Sequence, residues 1–181
     1  MRIIAGSWRG RALDAPPGDT TRPTADRVRQ ALFDRLMHAP WAGRTVLDGA
    51  AVLDVFAGTG ALGLEALSRG AGRACFIEWD RAALAALRGN IAACQAGERC
   101  RVLPADAAQP PAGEPCGLVF MDPPYAFAAV PGDLDALRAA GWIKPGGLLL
   151  LETARDADLP ELGEVLAGFE AGAAAVHAIR L

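Results

Sequence analysis

The chain has 181 residues, of which 52% are hydrophobic and 22% charged, with a formal net charge of -3 and a pI near 5.4. That length suits one domain with a core that needs neither disulfide nor metal, and the composition excludes disordered, collagen-like and fibrous classes. No apolar run approaches the roughly 18–20 residues of a membrane span, and arginines interrupt the opening MRIIAGSWRGR where a signal peptide needs its apolar stretch, so a cytoplasmic chain that need be no more than a monomer is expected.

Residues 2–14 read as a short hairpin turning around Ser7 to Gly10, and residues 15–23 as a Pro/Gly/Thr-rich linker. Thr24 or Asp26 is placed to cap a helix running to about His38, with Val28, Leu32 and Leu36 on one stripe. AVLDVF (51–56) is an apolar run followed at once by glycines, the pattern of a buried parallel strand. A helix follows over Ala61 to Arg69, ending at Gly70, and then a second strand, RACFIE (73–78). Asp80 can cap a helix that places Leu84, Leu87, Ile91 and Cys94 on one face. RVLPA (101–105), GLVFM (117–121) and LLLLE (148–152) are further strands, with a helix DLDALRAAG before the last. ELGEVLAGF reads as a helix and AAVHAIRL as a closing strand. Strands alternating with helices over residues 50–152 predict a doubly wound α/β sheet.

The charge total hides a distribution. Residues 1–35 hold seven arginines against four aspartates, a net of +3 that leaves -6 for the rest. An arm of that sign suits phosphate contacts, although an ordinary solvated face has the same composition. The cysteines, Cys75, Cys94, Cys100 and Cys116, form no CxxC pair and have only two histidines for company, so reduced thiols are expected and a zinc site is not.

Acids mark the strand ends: Asp54, Glu78, Asp106 and Asp122. In an open α/β sheet ligands sit beyond the carboxyl ends of the strands. Gly58, Gly60 and Gly63 spell GxGxxG, and Glu78 follows Gly58 by 20 residues, the pattern of a dinucleotide site. Asp54, four residues before Gly58, argues against that ligand, because a carboxylate beside the glycine loop repels a pyrophosphate. It would welcome a cationic amino group. S-adenosylmethionine offers one, with a ribose for Glu78 and an adenine amino group for Asp106. The fourth strand ends in Asp122-Pro123-Pro124-Tyr125. A carboxylate, a proline carbonyl and an aromatic face describe a pocket for an exocyclic NH2 on a flat ring. Two acceptors there would favour rehybridisation of a conjugated amine and stabilise charge as a methyl arrives.

DVFAGTG and DPPY resemble the class I S-adenosylmethionine-dependent methyltransferases. RIIAGSWRGRAL, RPTADRVRQALFDRL, DVFAGTGALGLEALSRGA, FIEWD and MDPPY, in that order, resemble the RsmD family. The resemblance implies a Rossmann-like, mostly parallel seven-stranded sheet whose last strand is antiparallel. It implies an N-terminal hairpin arm and linker over 1–23 and a methyltransferase domain over 24–181. It implies methyl transfer from S-adenosylmethionine to the N2 of a guanine in bacterial 16S ribosomal RNA, free or in an assembling small subunit. Asp54, Phe56, Gly58, Gly60, Glu78 and Asp106 would line the cofactor site, with Arg22 and Thr24 of the RPT segment close by. Asp122, Pro123, Pro124 and Tyr125 would hold the guanine, and Arg2, Trp8, Arg9 and Arg11 would reach towards RNA. Methylation of an amino group in DNA or in a protein glutamine, and a non-catalytic RNA-binding assembly factor, are the alternative readings. The tail after Phe169 and residues 126–132 depart from the family pattern.

Overall fold

A computed structural model describes residues 1–16, 23–43, 45–123, 129–171 and 174–181. Arg22, Pro124 and Tyr125 lie outside these residues, and the side chain of Thr24 is likewise not described. The elements are α1 (Pro23–His38), β1 (Ala51–Val55), α2 (Ala61–Ser68), β2 (Arg73–Glu78), α3 (Arg81–Ala93), β3 (Cys100–Pro104), β4 (Cys116–Met121), α4 (Val130–Ala139), β5 (Ile143–Ala154), β6 (Glu164–Ala171) and β7 (Ala174–Arg180).

The strands form one sheet in the order β3-β2-β1-β4-β5-β7-β6. β1 pairs in parallel with β2 on one side and β4 on the other. β7 lies antiparallel between β5 and β6. This is the expected Rossmann-like α/β architecture. Successive strand residues serve opposite faces, as the pleat requires. Val52, Phe76, Phe120 and Leu150 join α1, α2, α3 and the arm in one core, while Leu53, Ile77, Val119 and Leu149 join α4 in the other. The chain runs outward from β1 to β3 and then returns to the far side of β1 as β4, so a crevice opens between the carboxyl ends of β1 and β4.

Two sequence expectations need correction. Residues 161–169 do not form a helix: most of that segment is strand β6, an edge strand paired with β7 across a bulge at Val165/Ala167. Leu162, Leu166 and Phe169 have helical spacing, but β7 supplies a pairing edge, and Gly163 sits so close to the Arg180 carbonyl that no Cβ would fit. Tertiary pairing thus overrides local periodicity. Neither Thr24 nor Asp26 caps α1, which begins at Pro23 and places both inside its first turn. The hairpin over 2–14 is as expected: an Arg2↔Ala12 bridge is flanked by amide bonds from Ile3 to the Arg11 carbonyl, Gly10 to Ile3 and Leu13 to Met1, at 2.8–3.0 Å. It is anchored to α2: Ile4 and Ala5 donate to the Glu65 carboxylate at 2.8 and 3.0 Å, and Ser7 and Trp8 to Ser68 at 2.8 and 3.0 Å. Ile3 and Leu13 bury themselves in the core beneath. The Asp80 cap is as expected, accepting from the Ala83 amide at 2.8 Å.

Candidate functional site

The glycine loop is built by contacts that glycine alone allows. Gly58 and Gly60 have φ of +54° and +77°, and Gly60 presses on the Leu87 side chain. Gly63 packs on the Phe76 ring, which brings its amide within 2.8 Å of Asp54 Oδ2. Phe56 adopts a φ of +58° without being glycine, a strained backbone at the mouth of the crevice. Glu78 braces the loop from β2: Oε2 accepts from the Gly58 amide, and Oε1 from the Trp79 and Asp80 amides, all at 2.8 Å. Asn90, buried on α3, donates to the carbonyls of Asp14 and Thr59 at 3.0 Å and so ties the arm to the loop.

Phe56 contributes to both of two cavities. One, of about 340 Å³, is lined among others by Glu78, Trp79, Asp106, Pro123 and Asp133. The other, of about 220 Å³, is lined by Met1, Arg29 and Leu32 from the arm and α1, Gly58 and Thr59 from the loop, and three acids: Asp54, Asp122 and Glu152. Strand parity explains the trio. Asp54, Asp122 and Glu152 share alternation with Val52, Phe120 and Leu150, so all three face α1. Burial pushes the Asp54 carboxyl up to about 8 despite the Gly63 amide, with the neighbouring acids Asp122 and Glu78 adding to the rise. Asp122 opens onto the cavity and remains accessible, yet the protein around it holds its carboxyl up to about 6. Burial and then the charge of Asp122 lift Glu152 to about 7. Cationic donors belong in such a cavity. Among the described residues no group of His, Cys, Asp or Glu is placed to hold a metal ion.

A family model described as "Conserved hypothetical protein 95" matches residues 1–178. The Escherichia coli protein named ribosomal RNA small subunit methyltransferase D is 41% identical over 162 residues, 88% of this chain and 78% of that one. The chain belongs to the RsmD family. The Haemophilus influenzae protein of the same name is 37% identical over 88% of this chain and 81% of its own. A solved Escherichia coli chain described as a methyltransferase superposes with a TM-score of 0.80 at 36% identity, covering 98% of this chain and 96% of that one.

The residues singled out in the sequence of this RsmD family member fall into two groups. Asp54, Phe56, Gly58, Gly60, Glu78, Asp106, Asp122 and Pro123 gather at the carboxyl edge of β1 to β4. The arm residues divide. Arg2 and Arg9 line a cleft of about 400 Å³ with Asp26, Arg27 and Gln30 of α1. Trp8 turns away and lies under the Arg99 guanidinium, 4.9 Å from its ring centroid, while Arg11 donates to the Ala93 carbonyl at the end of α3. Sequence reasoning missed Arg27, Arg29, Trp79, Asn90, Asp133 and Glu152. For Glu152 a signal existed, because LLLLE ends in an acid as the other strands do. Trp79 adjoins Glu78 and is 72% exposed, conspicuous for an indole. Arg27 and Arg29 were hidden among other arginines until α1 set their directions.

Proposed function

We propose that this protein transfers a methyl group from S-adenosylmethionine to the exocyclic N2 amino group of a guanine in 16S ribosomal RNA, in the free RNA or an assembling small subunit. The observation that carries this reading is the meeting of Asp54, the glycine loop, Asp122 and Pro123 around the β1–β4 crevice in a chain 41% identical to a ribosomal RNA small subunit methyltransferase. When bound, the cofactor supplies a methyl group activated by a sulfonium.

The residues present suit it. Asp54 is a buried acid that accepts from the Gly63 amide and, among the described residues, has no cation shifting its carboxyl, and it would ionise against the ammonium of the methionine part. Glu78 retains capacity on Oε2 for a ribose hydroxyl, because that oxygen accepts one amide and Oε1 accepts two. Phe56 and Trp79 offer apolar faces, and Asp106 and Asp133 offer acceptors, for the adenine. Arg22 and Thr24 would adjoin this region by their place in the RPT segment.

At the acceptor side, Asp122 and the Pro123 carbonyl would accept the two N–H bonds of the guanine amino group. A ring amine is a weak nucleophile while its lone pair is delocalised. Acceptors on both hydrogens favour the pyramidal nitrogen and stabilise the charge that grows as the new bond forms. The proton is lost after transfer, so Asp122 acts first as an acceptor. Pro124 and Tyr125 complete the motif, with Tyr125 supplying a stacking ring. RNA would be gripped at the arm: Arg2, Arg9 and Arg27 surround a cleft sized for a phosphate-sugar segment. Trp8 and Arg11 would contact RNA only on the opposite flank.

The test is labelled methyl transfer onto small subunits and 16S RNA lacking the modification, followed by nucleoside analysis. N2-methylguanosine is expected. N6-methyladenine, N4-methylcytosine or no product would overturn the reading.

A further inference from the structure

We propose that Glu152 is a specificity-determining residue that accepts the guanine N1–H and so selects guanine over bases that expose a ring nitrogen lone pair beside the amino group. The proposal rests on the guanine reading above and extends it to a side chain that the DPPY motif does not contain.

β4 and β5 run parallel, with Phe120 beside Leu150 and Met121 beside Leu151. One step further, at the mouth of the crevice, the same register sets Asp122 beside Glu152. Both line the cavity that also contains Asp54 and the glycine loop. Two adjacent carboxylates repel each other unless donors lie between them, and neither accepts a hydrogen bond from a described residue. Burial and the neighbouring Asp122 lift Glu152 to about 7, which marks it as short of a donor.

Arg29, 4% exposed, lines the same cavity. Its Nη2 is spent on the Arg2 carbonyl and Asp26, at 2.6 and 2.9 Å, and its Nε faces the buried Glu65 carboxylate at 3.8 Å, so it lends the cavity a positive charge. The wall thus offers two carboxylates that no described residue supplies with a donor, beside one positive charge. Guanine presents the complement along one edge: the N2 amino group, then N1–H, then the O6 acceptor. Adenine and cytosine place a lone pair next to their amino group, and a carboxylate facing that lone pair repels it. With N2 held at Asp122 and Pro123, the neighbouring N1–H falls to the neighbouring strand, at Glu152.

The test uses 2-aminopurine, which keeps the 2-amino group but has a lone pair at N1. It is ligated into small-subunit RNA in place of the guanine that product analysis identifies, and single-turnover methylation is measured with the wild-type protein and with Glu152→Gln. The wild type should methylate guanine at least ~10-fold, and up to about 100-fold, faster than 2-aminopurine, as for loss of one charge-assisted hydrogen bond. Glu152→Gln presents both an amide donor and an acceptor, so it should narrow that ratio to within about 3-fold. Equal wild-type rates on the two bases, or an unchanged ratio in the variant, would overturn the proposal. Absence of methylation of guanine by the wild type would instead overturn the underlying function.

Discussion

Asp54 concentrates the chemistry of the site in one side chain. Its carboxyl stands at about 8 in the folded chain against an ordinary value of 3.8. Between those values the unfolded chain has released its proton and the folded chain has not, so Asp54 makes stability fall as pH rises from about 4 to 8. Glu152 and Asp122 act with the same sign up to about 7 and about 6. Asp54→Asn keeps an acceptor for the Gly63 amide but cannot ionise. Its melting temperature should exceed that of the native protein at pH 8, and its stability should stop falling near pH 7. Binding of S-adenosylmethionine should weaken at least ~10-fold, as for a lost charge-assisted contact. In the native protein that binding should release a proton at pH 7, seen by calorimetry in buffers of different ionisation enthalpy. Asp54, Glu78, Asp106 and Asp122 were legible in the sequence because each ends or adjoins a strand before a turn. Arg29 and Asn90 were not. Both act through neighbours 27 or more residues away, and only packing reveals those.

The elements are stitched by a buried carboxylate. Glu65 on α2 is fully buried and accepts from the Ile4 and Ala5 amides and from Arg69 Nε at 2.7 Å, with Arg29 Nε at 3.8 Å. It joins the arm, α1 and α2. Glu65→Ala strands several buried donors and should cost about 3–5 kcal/mol in urea unfolding. Hydrogen exchange should rise first at Ile4 and Ala5. An unchanged midpoint would mean that the burial of Ile3 and Leu13 and the bonds to Ser68 and Asn90 suffice to hold the arm. This scale also explains the misread segment 161–169. Leu162, Leu166 and Phe169 satisfy a helical stripe, but strands are completed by partners, and β7 lies later in the chain. The helices α2 and α3 were legible because caps and glycine stops are local signals.

Across the whole molecule, charge and topology separate an acidic crevice from a basic cleft. The reversal at β1 collects the acids proposed to face cofactor and base, while Arg2, Arg9 and Arg27 border a cleft between arm and α1. A net charge of -3 therefore agrees with an RNA partner. Replacing Arg9 and Arg27 together by alanine should weaken RNA binding and flatten the salt dependence by roughly 1.5 units of log K against log salt, about 0.7–0.9 per phosphate contact. Arg11→Ala should leave the slope nearly unchanged, because its guanidinium is engaged with the Ala93 carbonyl. Filter binding across a potassium chloride series reads both. The sheet was legible from the alternation of strands and helices. The division of the arm into two flanks was not, since it depends on how α1 and α3 present their ends.

In the proposed mechanism the acceptors at the end of β4 hold the reacting amino group beside a cofactor site built by β1 and β2. Single-turnover methylation by Asp122→Ala, with cofactor affinity measured in parallel, tests it most directly. The rate should fall at least ~100-fold below the native protein, the loss expected for one preorganised acceptor at the reacting group, with S-adenosylmethionine affinity within about 3-fold of native. A variant that binds the cofactor and still transfers at the native rate would contradict it.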